Sequence, residues 1–369
     1  MIFHNFHPDK INLINMIPFG RASSVFMQGL FDGHPEIVTI IFYYLREKDV
    51  KGKNFEDLVD LNYNRMKERV DMYIGNYDLE KKFPKKEFRK YFKEYIDEFG
   101  ISAKTVFIGV HYAYARHFKK DLKKVKYIFA HSHWPDVFLE MVGHFPKQKM
   151  LFLARDPRSS FLGGKKTESL VAAVMILRST LNLYKKLKKK RKMDMLVIRH
   201  ETLHTDYEKI KQVLVDWLKI SKDKTINSAT FFGLPFYGMN KQRVTSITGV
   251  LSDVPNPVFA KPKWEDKMST AEINFTQFMF SDMFTMFDYK KRKMFEPLWV
   301  EYFATRRNLS LSMINGHYKG LRSFGLRGLR ILYMVPLIGR PLVKLFWILK
   351  EVLHLAHDDL KIRSKIKSL

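Results

Sequence analysis

The 369-residue chain has no cysteine, which excludes disulfides, thiolate metal sites and cysteine nucleophiles and is compatible with a reducing compartment. Acidic residues are also scarce, 38 Asp and Glu against 65 Lys and Arg, for a formal net charge of +27. That imbalance favours anionic partners such as nucleic acid, nucleotides, sulfated or phosphorylated substrates or lipid headgroups, with plain solubility as the alternative. The first residues, MIFHNFHPDKINLINMIPFG, lack a charged segment, an unbroken apolar run and a small-residue cleavage site. No secretory signal is read there, and a cytoplasmic location is expected. Near the other end LRGLRILYMVPLIGRPLVKLFWILKEVLHLAH is apolar, yet Arg330, Arg340, Lys344 and Lys350 interrupt it, too often for a spanning helix of about 20 residues. Internal repeats are missing, and the one low-complexity stretch runs from Lys185 to Lys192.

What is present fills a core, since 46% of the residues are hydrophobic. The run INLINMIPF reads as a buried strand, and residues 24–32 read as a helix. KYIFAHSH, KMLFLARDP and DMLVIRHETL are further strand-like runs, the first two ending in polar residues as at the active edge of a parallel sheet. TESLVAAVMILRSTLNLYKKLKKKRK lies between the last two with helical composition, which predicts right-handed strand–helix–strand crossovers. Residues 53–125 read as a helical insertion packed beside the sheet, HTDYEKIKQVLVDWLKI as an amphipathic helix, residues 228–264 as loop-rich, and STAEINFTQFMFSDMFTMF as helix again. The fold class expected is α/β, a three-layer sandwich with a central parallel sheet and a P-loop-like core. Residues 1–295 would form this domain, and 296–369 a basic, helical C-terminal extension.

A small-residue turn between strand and helix makes an anion site, because free backbone N–H groups and the positive end of the helix face the ligand. IPFGRASSVFMQGLFDGHPEI is such a segment. It lacks the lysine and second glycine of a Walker A loop, G-x-x-x-x-G-K-[ST]. It resembles the phosphosulfate loop of sulfotransferases that use 3′-phosphoadenosine 5′-phosphosulfate (PAPS), through Gly20, Arg21, Ala22, Ser23, Ser24 and the trailing LFDGHPEI. LFLARDPRSSFLGG resembles the 3′-phosphate element of the same family. By that resemblance Arg155 binds the 3′-phosphate, and an arginine at a strand end can fork two donors onto it. The alternative for Arg155 and Asp156 is a structural ion pair. The family shares that phosphate with a serine eight residues on, where this chain has Gly163; Ser159, Ser160, Lys165 and Lys166 are the substitutes on offer.

HSHWP, 22 residues before Arg155 by the numbering, resembles the K-T-H-L-P segment whose histidine is the family's general base. His133 falls on that histidine and His131 on the lysine. An imidazole titrating near neutrality suits the role, worth roughly 100- to 10,000-fold. A lone histidine at a strand end is otherwise a structural residue. VIRHETL resembles another strand end of the family, and KPKWEDKMSTAE its late nucleotide-closing loop, which makes Lys263 and Trp264 cofactor candidates. The glutamate that some members place after H-P-E has no good counterpart, Glu47 being a poor match, so His133 is preferred as base with His34 in reserve.

The resemblance implies sulfuryl transfer from PAPS, without a metal, to a hydroxyl of a carbohydrate, glycolipid or other small acceptor, with Arg21, the loop amides, Ser23 and Ser24 on the phosphosulfate. The tail from about 318 suits either an amphipathic helix at an anionic membrane surface or a hairpin packed on the domain. Two rivals stay open: a basic nucleic-acid-binding protein, although no stacking aromatics interleave KKLKKKRK, and a kinase with a degenerate P-loop.

Overall fold

Every residue of Met150–Ala154 is buried, and successive side chains enter opposite cores: Met150, Phe152 and Ala154 one, Leu151 and Leu153 the other. A strand buried on both faces belongs to a parallel sheet covered by helices on each side. The computed structural model shows that three-layer arrangement for residues 3–41, 44–73, 78–145, 147–167, 170–189, 194–236 and 254–292, the residues it describes. The tail after 292, and with it any membrane contact, lies outside them.

Five strands, β1 (Asn12–Pro18), β2 (Ile37–Thr39), β3 (Tyr127–His131), β4 (Gln148–Ala154) and β5 (Asp194–Arg199), form one sheet in the order β2-β3-β1-β4-β5. All four pairings are parallel. From β1 the chain builds outward to β3 and β2 on one side and to β4 and β5 on the other, so a crevice opens at the carboxyl end of β1. Register fixes what meets there: Met16 pairs with His131, Pro18 with Leu153 and Ala154 with Arg199. The edge strand β2 was not expected from the sequence, where IVTIIFYYLRE shows neither alternation nor length to set a three-residue strand apart.

Around the sheet lie α1 (Ser24–Gly29), α2 (Glu47–Val50), α3 (Phe55–Tyr73), α4 (Leu79–Lys82), α5 (Lys85–Phe99), α6 (Ala103–His117), α7 (Pro135–His144), α8 (Pro157–Thr167), α9 (Leu170–Lys189), α10 (His200–Thr205) and α11 (Tyr207–Leu218). The chain continues through α12 (Trp264–Lys267), α13 (Thr270–Met279) and α14 (Ser281–Met286), the last two being the single expected helix broken at Phe280. The insertion is helical as expected and held by aromatic packing: Phe88 stacks on Phe92 at 5.3 Å, and Tyr95 donates to the carbonyl of Phe6 at 2.7 Å. Rings of this size supply much of its buried apolar area. Among the described residues no helix is long and apolar enough to cross a membrane. The basic run on α9 is partly engaged by the domain, Lys185 pairing with Asp282 at a half-buried position.

Candidate active site

A cavity of about 1090 Å³ opens at the crevice, lined by Gly20 through Ser24, His131 to Trp134, Arg155 and Ser160, with α3 forming another wall. Pro18 ends β1, the amide of Phe19 still donates to the carbonyl of Leu153 at 2.8 Å, and Gly20 then turns the chain at φ +70°. Glycine suits that turn twice over, because a side chain there would be strained and its Cβ would stand 3.3 Å from Leu177 and Ser160. Ser160 braces the turn from α8, its hydroxyl donating to the carbonyl of Phe19 at 3.2 Å.

Ser23 precedes α1 with φ 59° and ψ 34° and makes no capping hydrogen bond. Its Oγ lies instead 2.9 Å from Nδ1 of His200 and 3.3 Å from Nε2 of His204. The outer partners assign the protons. Nε2 of His200 faces the carbonyl of Phe259 at 3.0 Å and so carries hydrogen, leaving Nδ1 to accept from Ser23. Nδ1 of His204 accepts from the amide of Asn256 at 3.3 Å, so its Nε2 donates to Ser23. Burial, reinforced by the positive charge of Arg155, pushes His204 down to about 4 and His200 well below its ordinary value, so both rings are neutral. The one proton of the Ser23 hydroxyl is thereby spent on His200, and the first-turn amides of α1 are left without a cap from this side chain. What this turn offers an anion is its amides rather than that hydroxyl. Sequence reasoning missed the histidine pair, although their spacing of four on HETLH was a visible sign of one helical face.

The R-D-P-R element divides its two arginines. Arg158 is 3% exposed and grips Asp156 through Nε at 3.0 Å and Nη2 at 2.6 Å, while reaching Gln277 and the carbonyl of Lys290. Its guanidinium also lies 3.7 Å from the centre of the Trp264 ring. The ion pair of this element is therefore Asp156 with Arg158, not with Arg155. Arg155 lines the cavity, donates from Nη1 to the carbonyl of Arg21 at 2.6 Å, and keeps a buried Nε with no hydrogen-bond partner among the described residues. An unsatisfied buried donor beside a cavity fits an oxyanion that has yet to arrive.

His133 lines the same cavity, its ring 4.3 Å from that of His131. Burial, then the charges of Arg69 and Arg21, lower it to about 4, below the near-neutral titration expected of it from the sequence, so the ring is neutral. Lys165 and Lys166 cannot be placed against the cavity, because their side chains are not among those described.

Four expected site residues sit elsewhere. His34 is fully buried, with Nε2 against the carbonyl of Ser221 at 3.1 Å and Nδ1 accepting from the amide of Glu36 at 3.1 Å; both nitrogens are used inside a structural knot, so a reserve base there has no lone pair to offer. Its neighbour Asp32 is equally committed, accepting from Tyr114, Thr230 and the amide of Gly233. Ser159 is buried outside the lining, Trp264 packs beneath Arg158, and Lys263 is an exposed residue next to it. Conversely, α3 delivers Arg65, Glu68, Arg69, Met72 and Tyr73 to the cavity, and these were missed because nothing local to the insertion says which of its faces meets the crevice.

No family model and no curated protein matches the sequence. Among solved structures the chain is similar to the sulfotransferase domain of the Synechococcus PCC 7002 olefin synthase, at 15% identity and TM-score 0.43 over 78% of this chain and 98% of that one. It is similar to the sulfotransferase domain of the curacin biosynthetic pathway at 12% identity and TM-score 0.44, over 76% and 99% of the two chains. Retinol dehydratase, solved with androsterone and the inactive cofactor PAP, is similar at 12% identity and TM-score 0.32, over 79% and 85%. These likenesses are distant, and the functional case is carried by the cavity's own residues.

Proposed function

We propose that the protein is a sulfotransferase that moves a sulfuryl group from PAPS to an acceptor hydroxyl. The observation that carries this reading is the juxtaposition of Arg155 and the Arg21 turn, joined by a 2.6 Å hydrogen bond, on one cavity that also holds His133. Arg155, with a donor to spare, would take the 3′-phosphate, and Arg21 with the amides of the turn the phosphosulfate. When bound, PAPS supplies the activated sulfuryl group. His133 takes the proton of the acceptor hydroxyl as its oxygen bonds to sulfur, while Arg21 and the turn amides stabilise the charge gathering on the phosphate oxygen whose bond to sulfur breaks. A guanidinium and backbone donors suffice for a sulfonate, which carries less charge than a phosphoryl group.

The test is calorimetric binding of 3′,5′-adenosine bisphosphate (PAP) and of ATP, followed by transfer of radiolabelled sulfate from PAPS. PAP binding at least tenfold tighter than ATP is expected. A preference for ATP would hand the cavity to the kinase reading, and the absence of nucleotide binding would remove the assignment.

A further inference from the structure

The turn at Gly20–Ser24 and the strand tip at Arg155 belong to different strands, and one short helix touches both elements. Ala154 at the end of β4 pairs with Arg199 at the end of β5, so α10, which starts at His200, begins beside Arg155. From its first turn Glu201 accepts from the amide of Asp156 at 3.0 Å and from the hydroxyl of Tyr289 at 2.9 Å. His200 and His204, on one face of the same helix, meet the hydroxyl of Ser23 at 2.9 and 3.3 Å. Both rings are pinned from behind. Nε2 of His200 donates to the carbonyl of Phe259 at 3.0 Å, Nδ1 of His204 accepts from the amide of Asn256 at 3.3 Å, and Phe26 and Phe259 pack on the His204 ring at 5.1 and 5.4 Å. Ser23 itself sits at φ 59°, a left-handed conformation that a residue with a side chain keeps only where its surroundings impose it.

We propose that α10 is the spacer of the cofactor site: His200, His204 and Glu201 are positioning residues that hold the phosphosulfate turn and the 3′-phosphate arginine at the separation of the two phosphates on one adenosine. This rests on the sulfuryl-transfer reading above and names residues that serve it at a distance, since none of the three lines the cavity. They act through Ser23 and Asp156. A ligand with two anions on one rigid body gains from the second only where both receptors already stand at its spacing; otherwise the second contact costs a rearrangement of one of them. The direct tie between the two elements, from Nη1 of Arg155 to the carbonyl of Arg21 at 2.6 Å, runs through the guanidinium that the phosphate engages. The ties through α10 involve no group that the nucleotide takes, so they hold the spacing while it binds.

The experiment compares PAP with 3′-AMP and 5′-AMP by calorimetry on the full chain near neutral pH. In the wild type PAP is expected to bind about 30-fold or more tighter than the better mononucleotide, the gain of a second charge-assisted phosphate contact. In His200→Ala and in His204→Ala that gain falls to about threefold or less, while each mononucleotide, which needs one element at a time, stays within about threefold of its wild-type affinity. His204→Gln, whose side-chain amide can donate where Nε2 does, restores part of the gain. Glu201 also opposes the charge of Arg155, so its tie is read as the difference between Glu201→Ala and Glu201→Gln. Both lose the same charge, but Gln keeps an oxygen for the amide of Asp156, and the gain is expected to be smaller in Ala. Each gain is a ratio of two affinities on one preparation, so a less stable variant does not imitate its loss. Histidine variants that keep the wild-type gain overturn the proposal, as does an equal fall of PAP and both mononucleotides, or a wild type that binds PAP no tighter than a mononucleotide. Failure of the wild type to bind PAP at all overturns instead the sulfotransferase reading, and is seen before any variant is made.

Discussion

The stem of Arg21 lies against Gly163: a Cβ placed on Gly163 would stand 3.2 Å from Cγ and 3.3 Å from Cβ of Arg21. The glycine on α8 and the arginine of the β1 turn are thus two halves of one contact. Where the resemblance to sulfotransferases calls for a serine on α8, this chain has made room for a cation.

Gly163→Ser should therefore weaken PAP binding, since the added side chain must push the Arg21 stem aside at an overpacking cost of about 1–3 kcal/mol. In an Arg21→Ala background the Cγ contact is gone and the same substitution should cost less than half as much. A double-mutant cycle read by calorimetry checks this; additive effects would show that the two residues do not share the space.

Arg155 and Arg158 should separate function from stability. Arg158→Ala strands Asp156 in a buried site, a loss of roughly 3–5 kcal/mol by analogy with other buried pairs broken on one side. Arg155→Ala gives up a hydrogen bond to the backbone carbonyl of Arg21 and should lower PAP affinity at least tenfold while shifting unfolding free energy by about 1 kcal/mol. Urea unfolding and PAP titration on both variants test the pair, and the reverse pattern would reassign the two arginines.

Ser23→Ala should destabilise the protein by about 1–3 kcal/mol, because Nδ1 of His200 and Nε2 of His204 are both left unpaired in a buried setting. Replacing both histidines with Asn should cost less than the sum of the two single replacements, the three residues acting as one chain. Denaturant midpoints are the readout, and a loss near zero for Ser23→Ala contradicts the proton assignment given above.

Acid should weaken the fold before most carboxylates titrate. His111, His133 and His204 are held at about 4, and His131 and His200 well below their ordinary value, in each case chiefly by burial. In the unfolded chain each takes up a proton near pH 6.5. Their folded values are depressed, so the stability they carry is complete above about 6.5 and is lost as pH falls from there toward about 4, at up to roughly 1.4 kcal/mol per pH unit for each ring. Unfolding free energies at about pH 7, 6 and 5 measure the slope; a flat profile over that range would falsify the neutral, buried state of these rings.

Much of this molecule can be read from local sequence because the signals are local. The strands at INLINMIPF, KYIFAHSH, KMLFLARDP and DMLVIR are long enough to declare themselves, and the turn at Gly20 and the tips at His133 and Arg155 follow from where those strands end. His34, Ser159, Lys263 and Trp264, which the structure places elsewhere, lie in or beside segments that resemble family motifs, and position along the chain does not tell which side of a buried element a side chain takes. His34 is held by Ser221 together with its near neighbour Glu36, and Trp264 by Arg158; Ser221 and Arg158 come from distant segments of the chain.

The sequence by itself determined a cysteine-free, strongly basic α/β chain with a glycine turn after its first strand and an arginine beyond each of two strand ends, since strand length, turn chemistry and charge depend on neighbouring residues. Only the tertiary structure decided that Arg158 serves the core while Arg155 serves the cavity, that two histidines of α10 hold Ser23, and that the insertion sends Arg65 and Arg69 into the same space. Those outcomes depend on sheet order and on which helix face is buried, and both are settled by packing over the whole chain.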